Sequence, residues 1–129
     1  VEIVVRIWCV PIELLDRQHL LGEHNELLVI LNSIIRDRQL KTKFVNFMKF
    51  LESYKIHVGW INHPQTCRFK NCVGQLIDRH NQQAREMQKR GYKHNTPLTN
   101  IGYLAEPYSF SESEYKKDFM LLMSRQHSS

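Results

Sequence analysis

The chain has 129 residues, 42% of them hydrophobic and 24% charged, with a formal net charge of +5; this suits one globular domain with one core. No apolar run approaches the roughly 18 residues of a membrane span, and residues 1–15, which carry Glu2, Arg6 and Glu13 and lack a basic leader, do not read as a signal peptide. Three cysteines, Cys9, Cys67 and Cys72, cannot all pair, so the expectation is a cytoplasmic protein with reduced thiols.

The first helix is expected to start near Glu13 or Leu14, just after Pro11, and to run to about Arg36. Its apolar residues Leu20, Leu27, Ile30, Leu31 and Ile34 recur at helical spacing. A shorter helix is expected from Lys43 to Tyr54, with Phe44, Phe47, Met48, Leu51 and Tyr54 on one stripe. Gly59 and Pro64 bound a turn. A third helix is expected from Thr66 to Arg90. Phe69, Val73, Leu76, Ile77, His80, Ala84 and Met87 form its buried stripe, and Gly91 is its stop. Pro97, Gly102 and Pro107 make residues 92–110 a loop. Ser111-Glu112-Ser113-Glu114 reads as a capping box. It opens a last helix from Glu112 to about Ser124, expected to bury Tyr115, Phe119, Leu122 and Met123 and to leave a frayed tail from Arg125. No strand pattern exceeds Ile3-Val4-Val5, and no internal repeat is present. The expected class is all-α: a single domain over residues 1–129 of about four helices, two long ones packed together and a C-terminal helix across them.

Charge is unevenly distributed. Between Arg36 and Lys93, thirteen Lys/Arg stand against four Asp/Glu, a balance of +9. The rest of the chain has five basic residues against nine acidic ones. A basic middle between acidic ends fits either a phosphate backbone or a generic cationic surface. On the first helix, His19, Glu23 and Glu26 are four and three residues apart. At about 100° per residue they share a narrow arc. Such a trio is either a solvated face or an acid/base constellation. His57, His63, Cys67, Cys72 and His80 lie within 24 residues but match no zinc spacing, so no metal and no cofactor is expected. Trp8 and Trp60 could fill the core or stack on an unstacked base.

Four stretches carry a resemblance. They are Arg6-Ile7-Trp8; Leu15-Asp16-Arg17-Gln18-His19-Leu20 with Glu23 and Glu26-Leu27; Asn62-His63-Pro64-Gln65 with Arg68-Phe69; and Lys89-Arg90-Gly91-Tyr92. In this order and placement they resemble the pyrimidine-dimer DNA glycosylase family, the phage endonuclease V type, and its small bacterial relatives most of all. The resemblance spans residues 6 to 92.

The resemblance implies DNA repair: N-glycosylase activity on damaged DNA such as pyrimidine dimers, with an associated AP-lyase activity that cleaves the strand. The nucleophile in that family is the N-terminal amine. Such an amine suits imine chemistry, since its ordinary pKa of ≈ 7.7–8.0 leaves far more of it unprotonated at neutral pH than a lysine at ≈ 10.4. Position by position, the reactive terminal residue matches Val5, and the glutamate that assists the sugar chemistry matches Glu26. His19 and Glu23 match polar neighbours. Arg6, Asn25, His63, Arg68, Lys70, Lys89 and Arg90 fall where DNA contacts are expected, and the implied partner is double-stranded DNA, bound by a monomer.

The sequence departs from the family pattern in three places. Val1-Glu2-Ile3-Val4 precede Val5 and, extended at ≈ 3.3 Å per residue, would carry the amine about 13 Å away. Either the functional start is Val5, which is the expectation, or the terminus is displaced and lyase activity is lost. Asn25 stands where the phage enzyme has arginine, and Met120–Ser129 lacks its aromatic-basic tail. Two other readings fit the residues: a non-catalytic basic nucleic-acid-binding module, and a helical protein-interaction domain.

Overall fold

The computed structural model describes residues 7, 10–54, 56, 64–69, 71, 73–92 and 112–126, and among them every regular element is helical. A 3-10 turn at Ile12–Leu14 leads into α1, Arg17–Asp37. A second at Lys41–Lys43 leads into α2, Val45–Ser53. Then come α3, Pro64–Phe69, α4, Val73–Lys89, and α5, Glu112–Gln126. The class is all-α, as the sequence pattern requires.

The start of α1 is set by Asp16 rather than by Pro11. Leu15 and Asp16 are extended, and the Asp16 carboxylate accepts from the His19 backbone N–H at 2.9 Å. This N-cap satisfies one of the donors a helix start leaves open. The expected start near Glu13 therefore belongs to a separate 3-10 turn. At the other end, Gln39 adopts φ +56°, the Leu40 N–H donates to Ile35 O at 2.8 Å and the Gln39 N–H to Arg36 O at 3.2 Å. Helix α4 ends in the same way: Gly91 sits at φ +81°, and the Tyr92 N–H donates to Met87 O at 2.8 Å. Glycine takes this left-handed conformation without a Cβ penalty, which is why Gly91 stops the helix.

The apolar stripes of α1 and α4 face each other. Leu27, Ile30, Leu31 and Ile34 are buried with Val73, Leu76 and Ile77 in one core that also takes Phe44, Phe47, Met48 and Leu51 from the α2 region. The two helices are antiparallel, since Arg90 at the end of α4 reaches Leu15 while Gln83 meets Glu23. Val10, Ile12, Leu15, Leu20, Met87 and Leu122 form a second cluster, through which α5 closes the end of the pair.

Three expectations are corrected. The helix expected over Thr66–Arg90 is two helices, broken between Phe69 and Val73. These residues are four apart and share one core, so the stripe reads straight through the break. Tyr54, expected on the buried stripe of α2, is 69% exposed and packs its ring against Phe50 from outside, 4.8 Å between centroids. Phe119 is exposed, and the expected frayed tail begins too early. Gln126 is still helical: its amide donates to Leu14 O at 3.2 Å and its carbonyl accepts from the Asp16 N–H at 2.7 Å. The capping serine Ser111 and the loop at 93–110 lie outside the described residues, as do the side chains of Glu114 and Tyr115.

Candidate active site

Sequence spacing makes Glu23 and Glu26 equivalent; the packing of α4 against α1 separates them. The Glu23 side chain is completely buried and faces α4. Arg79 grips it with two parallel bonds, Nε to Oε2 at 3.0 Å and Nη2 to Oε1 at 2.9 Å. The Gln83 amide donates to the same carboxylate. Its carbonyl oxygen is then the acceptor for His24 Nδ1–H at 2.9 Å, which fixes the proton of His24 on that nitrogen. The His24 ring stacks on His80 at 5.3 Å, and Phe47 meets His80 edge-on at 5.2 Å. Removing a carboxylate from water costs several kcal/mol, and a bidentate guanidinium with an added amide donor offsets that cost. Glu23 is thus held in place by Arg79 and Gln83. His80, on the apolar stripe, is a core residue.

Glu26 has a different environment. It is half-buried, and burial pushes its carboxyl above the ordinary carboxylate value. Among the described residues no hydrogen bond or ion pair holds it. A desolvated carboxyl without a fixed partner can take up and release a proton near a substrate. Gly22, one helical turn before it, is exposed and has open space where a side chain would stand.

The remaining candidates take up varied places. His19 Nδ1 lies 2.8 Å from Asp16 Oδ1 at the start of α1. Burial alone would raise the Asp16 carboxyl, but bonds from the His19 backbone and ring, with the charges of His19 and Arg90, hold it below its ordinary value. Asn25 and Lys89 are exposed. Arg90 is committed within the fold: Nε donates to Glu86 Oε2 at 2.7 Å and Nη2 to Leu15 O at 2.7 Å. Arg68 belongs to α3, but its side chain lies outside the described residues, as do Val5, Arg6, His63 and Lys70 entirely. Trp8, His57, Trp60 and Cys72 also lie outside them, and Cys67 is exposed. Among the described residues no three His, Cys, Asp or Glu side chains gather as a metal site, and no helix is long and apolar enough to cross a membrane.

A protein-family model described as pyrimidine dimer DNA glycosylase matches residues 5–100. The chain belongs to the pyrimidine dimer DNA glycosylase family. No curated protein and no solved structure matches it significantly. The family's activity makes the protein a DNA glycosylase, an enzyme with DNA as its substrate. The matched segment runs from Val5 through the end of α4, so it contains both helix-1 glutamates, and α5 falls beyond it.

The sequence pattern did not single out Arg79, Gln83 or His24, and Gln65 entered only as part of the Asn62-His63-Pro64-Gln65 stretch, with no role of its own. Arg79 counted there only as one charge among thirteen. Its partner Glu23 is 56 residues away in the chain, and no local spacing announces such a pair.

Proposed function

We propose that the protein is a bifunctional glycosylase and AP lyase in which an amine at Val5 is the nucleophile and Glu26 the acid/base group. The amine nitrogen bonds to C1′ of the damaged nucleotide as the C1′–N bond to the base breaks. The base leaves with the electron pair and takes a proton, and the nitrogen loses one, leaving an amine-substituted closed sugar; the C1′–O4′ bond then breaks as the nitrogen lone pair forms the C1′=N bond, and O4′ takes a proton, giving a protonated imine with the opened sugar. Removal of a C2′ proton then permits β-elimination, breaking the C3′–O bond to the phosphate. Glu26 moves the protons and, when ionised, stabilises the oxocarbenium-like sugar.

The observation that carries this reading is the contrast on α1. Glu26 is desolvated and uncommitted among the described residues, whereas Glu23, three positions away, is locked by Arg79 and Gln83. Glu23 is then a positioning residue that fixes the rotation of α1 against α4, and His19 with Asp16 anchors the helix start. Lys89, Asn25, Arg6, His63, Arg68 and Lys70 are assigned to the DNA backbone, which they would hold in register without reading bases. Arg90 is assigned to the fold first, because its described bonds, to Glu86, Glu13 and Leu15, are all internal.

The test is turnover of a dimer-containing duplex by a protein whose first residue is Val5. Glu26→Gln keeps the shape but removes the charge and the exchangeable proton. It should lower turnover by roughly 10²-fold or more while DNA affinity survives. Glu23→Gln, assayed where it remains folded, should lose less than about tenfold. The reverse ranking would transfer the catalytic role to Glu23. Unchanged turnover in both would remove carboxylate catalysis, and intact DNA binding without any turnover would favour the binding-module reading.

A further inference from the structure

Two hydrogen bonds fasten the segment that leads out of the proposed nucleophile, and both come from side chains outside α1. The Ile7 N–H donates to Gln65 Oε1 of α3 at 3.1 Å in a buried setting. Three residues on, the Val10 carbonyl accepts from Arg79 Nη1 of α4 at 2.8 Å. The Ile7 side chain is fully buried in the same core as Leu27 and Ile30, the α1 neighbours of Glu26. Arg79 is the guanidinium that grips Glu23, so one side chain ties the N-terminal segment and α1 to α4 together.

We infer that Gln65 and Arg79 are positioning residues that fix Ile7 and Val10 relative to α1, and through Ile7 govern the approach of an amine two residues earlier in the chain to Glu26. The inference rests on the nucleophile proposed above. Nucleophilic attack needs the reacting atoms within about 3–3.5 Å and correctly aligned. A short peptide segment with no such tether would sample many directions. Gln65 is the more informative of the two, because among the described residues it holds the backbone N–H closest in sequence to the proposed amine, through a neutral acceptor oxygen. Arg79 also holds a buried charge, so its loss would disturb the fold.

The experiment uses the protein beginning at Val5 and measures the single-turnover rate of imine formation on a duplex containing an abasic site, trapped with borohydride. DNA affinity and melting temperature are measured on the same samples. Gln65→Leu removes the acceptor, Gln65→Met does so with a longer chain, and Gln65→Glu keeps an acceptor for Ile7. The expected result is a loss of tenfold or more in trapping rate for the Leu or Met variant, with affinity within twofold, and recovery of most of that rate by Gln65→Glu. A merely structural role would move melting and affinity instead, and the Glu variant would not rescue. Using two acceptor-free variants keeps the test open if one of them folds poorly. Parent trapping with undiminished rates in both acceptor-free variants overturns the positioning role and leaves the nucleophile standing. Equal losses in all three variants at unchanged melting overturn the hydrogen-bond assignment. A parent that forms no imine overturns the nucleophile and this inference with it.

Discussion

Arg79→Leu is the sharpest perturbation of the scaffold. It leaves Glu23 with no exposed surface and without its guanidinium, and it strips the Val10 carbonyl of its donor. Removing one partner of a buried pair typically costs about 3–5 kcal/mol, because the remaining charge is uncompensated. At about 2.1 cal/mol/K per residue, a chain of this length has an unfolding entropy near 0.27 kcal/mol/K, so a loss of about 4 kcal/mol lowers Tm by roughly 15 °C. The assay is thermal unfolding followed by circular dichroism, with urea unfolding as a second measure. The double variant Glu23→Leu/Arg79→Leu removes the stranded charge as well and should recover at least half of the loss, as expected when apolar groups replace both partners. A drop below about 3 °C for Arg79→Leu, or strictly additive single and double variants, would refute the locked state of Glu23. The contrast between Glu23 and Glu26 would then be lost.

Gly22→Ala places a methyl group in open space on an exposed turn of α1 and should stabilise by about 0.5–1 kcal/mol through helix propensity, read as a higher urea midpoint. Because burial raises the Glu26 carboxyl, its ionisation opposes folding: its favourable contribution is present below the ordinary carboxylate pKa and is lost as pH rises through the raised value. Glu26→Gln should therefore melt at or above the parent at pH 7, with the difference shrinking towards pH 4; thermal melts at both values check it. Lys89→Ala should weaken DNA binding and reduce the slope of log affinity against log salt by about 1. Arg90→Ala should chiefly lower Tm, since it releases Glu86 and the Leu15 carbonyl.

The periodic residues made much of this fold legible. Leu27, Ile30, Leu31 and Ile34 on one helix and Val73, Leu76, Ile77 and Met87 on another are all buried, and Gly91 closes α4 as its left-handed conformation requires. Boundaries were less legible. Asp16 caps an α1 that begins at Arg17, whereas the expected start at Glu13 or Leu14 falls in the preceding 3-10 turn, and apolar spacing runs unbroken from Phe69 to Val73 across two helices. The site was half legible. The resemblance and the shared arc put His19, Glu23 and Glu26 together, but the arc cannot say which glutamate is committed. That depends on Arg79 and Gln83, which reach Glu23 across 56 and 60 residues of chain. Tyr54 at the end of α2 and Phe119 in the middle of α5 show the converse limit: an aromatic at a stripe position can still stand in solvent.

The most direct test of the central claim is peptide mapping of the borohydride-trapped adduct. The protein beginning at Val5 is incubated with a dimer-containing duplex in the presence of borohydride, digested, and read by mass spectrometry. The account predicts a sugar adduct on the Val5 α-amine, formed by the parent and reduced by about 10²-fold or more in Glu26→Gln. An adduct on a lysine side chain, or an undiminished yield in Glu26→Gln, would contradict it.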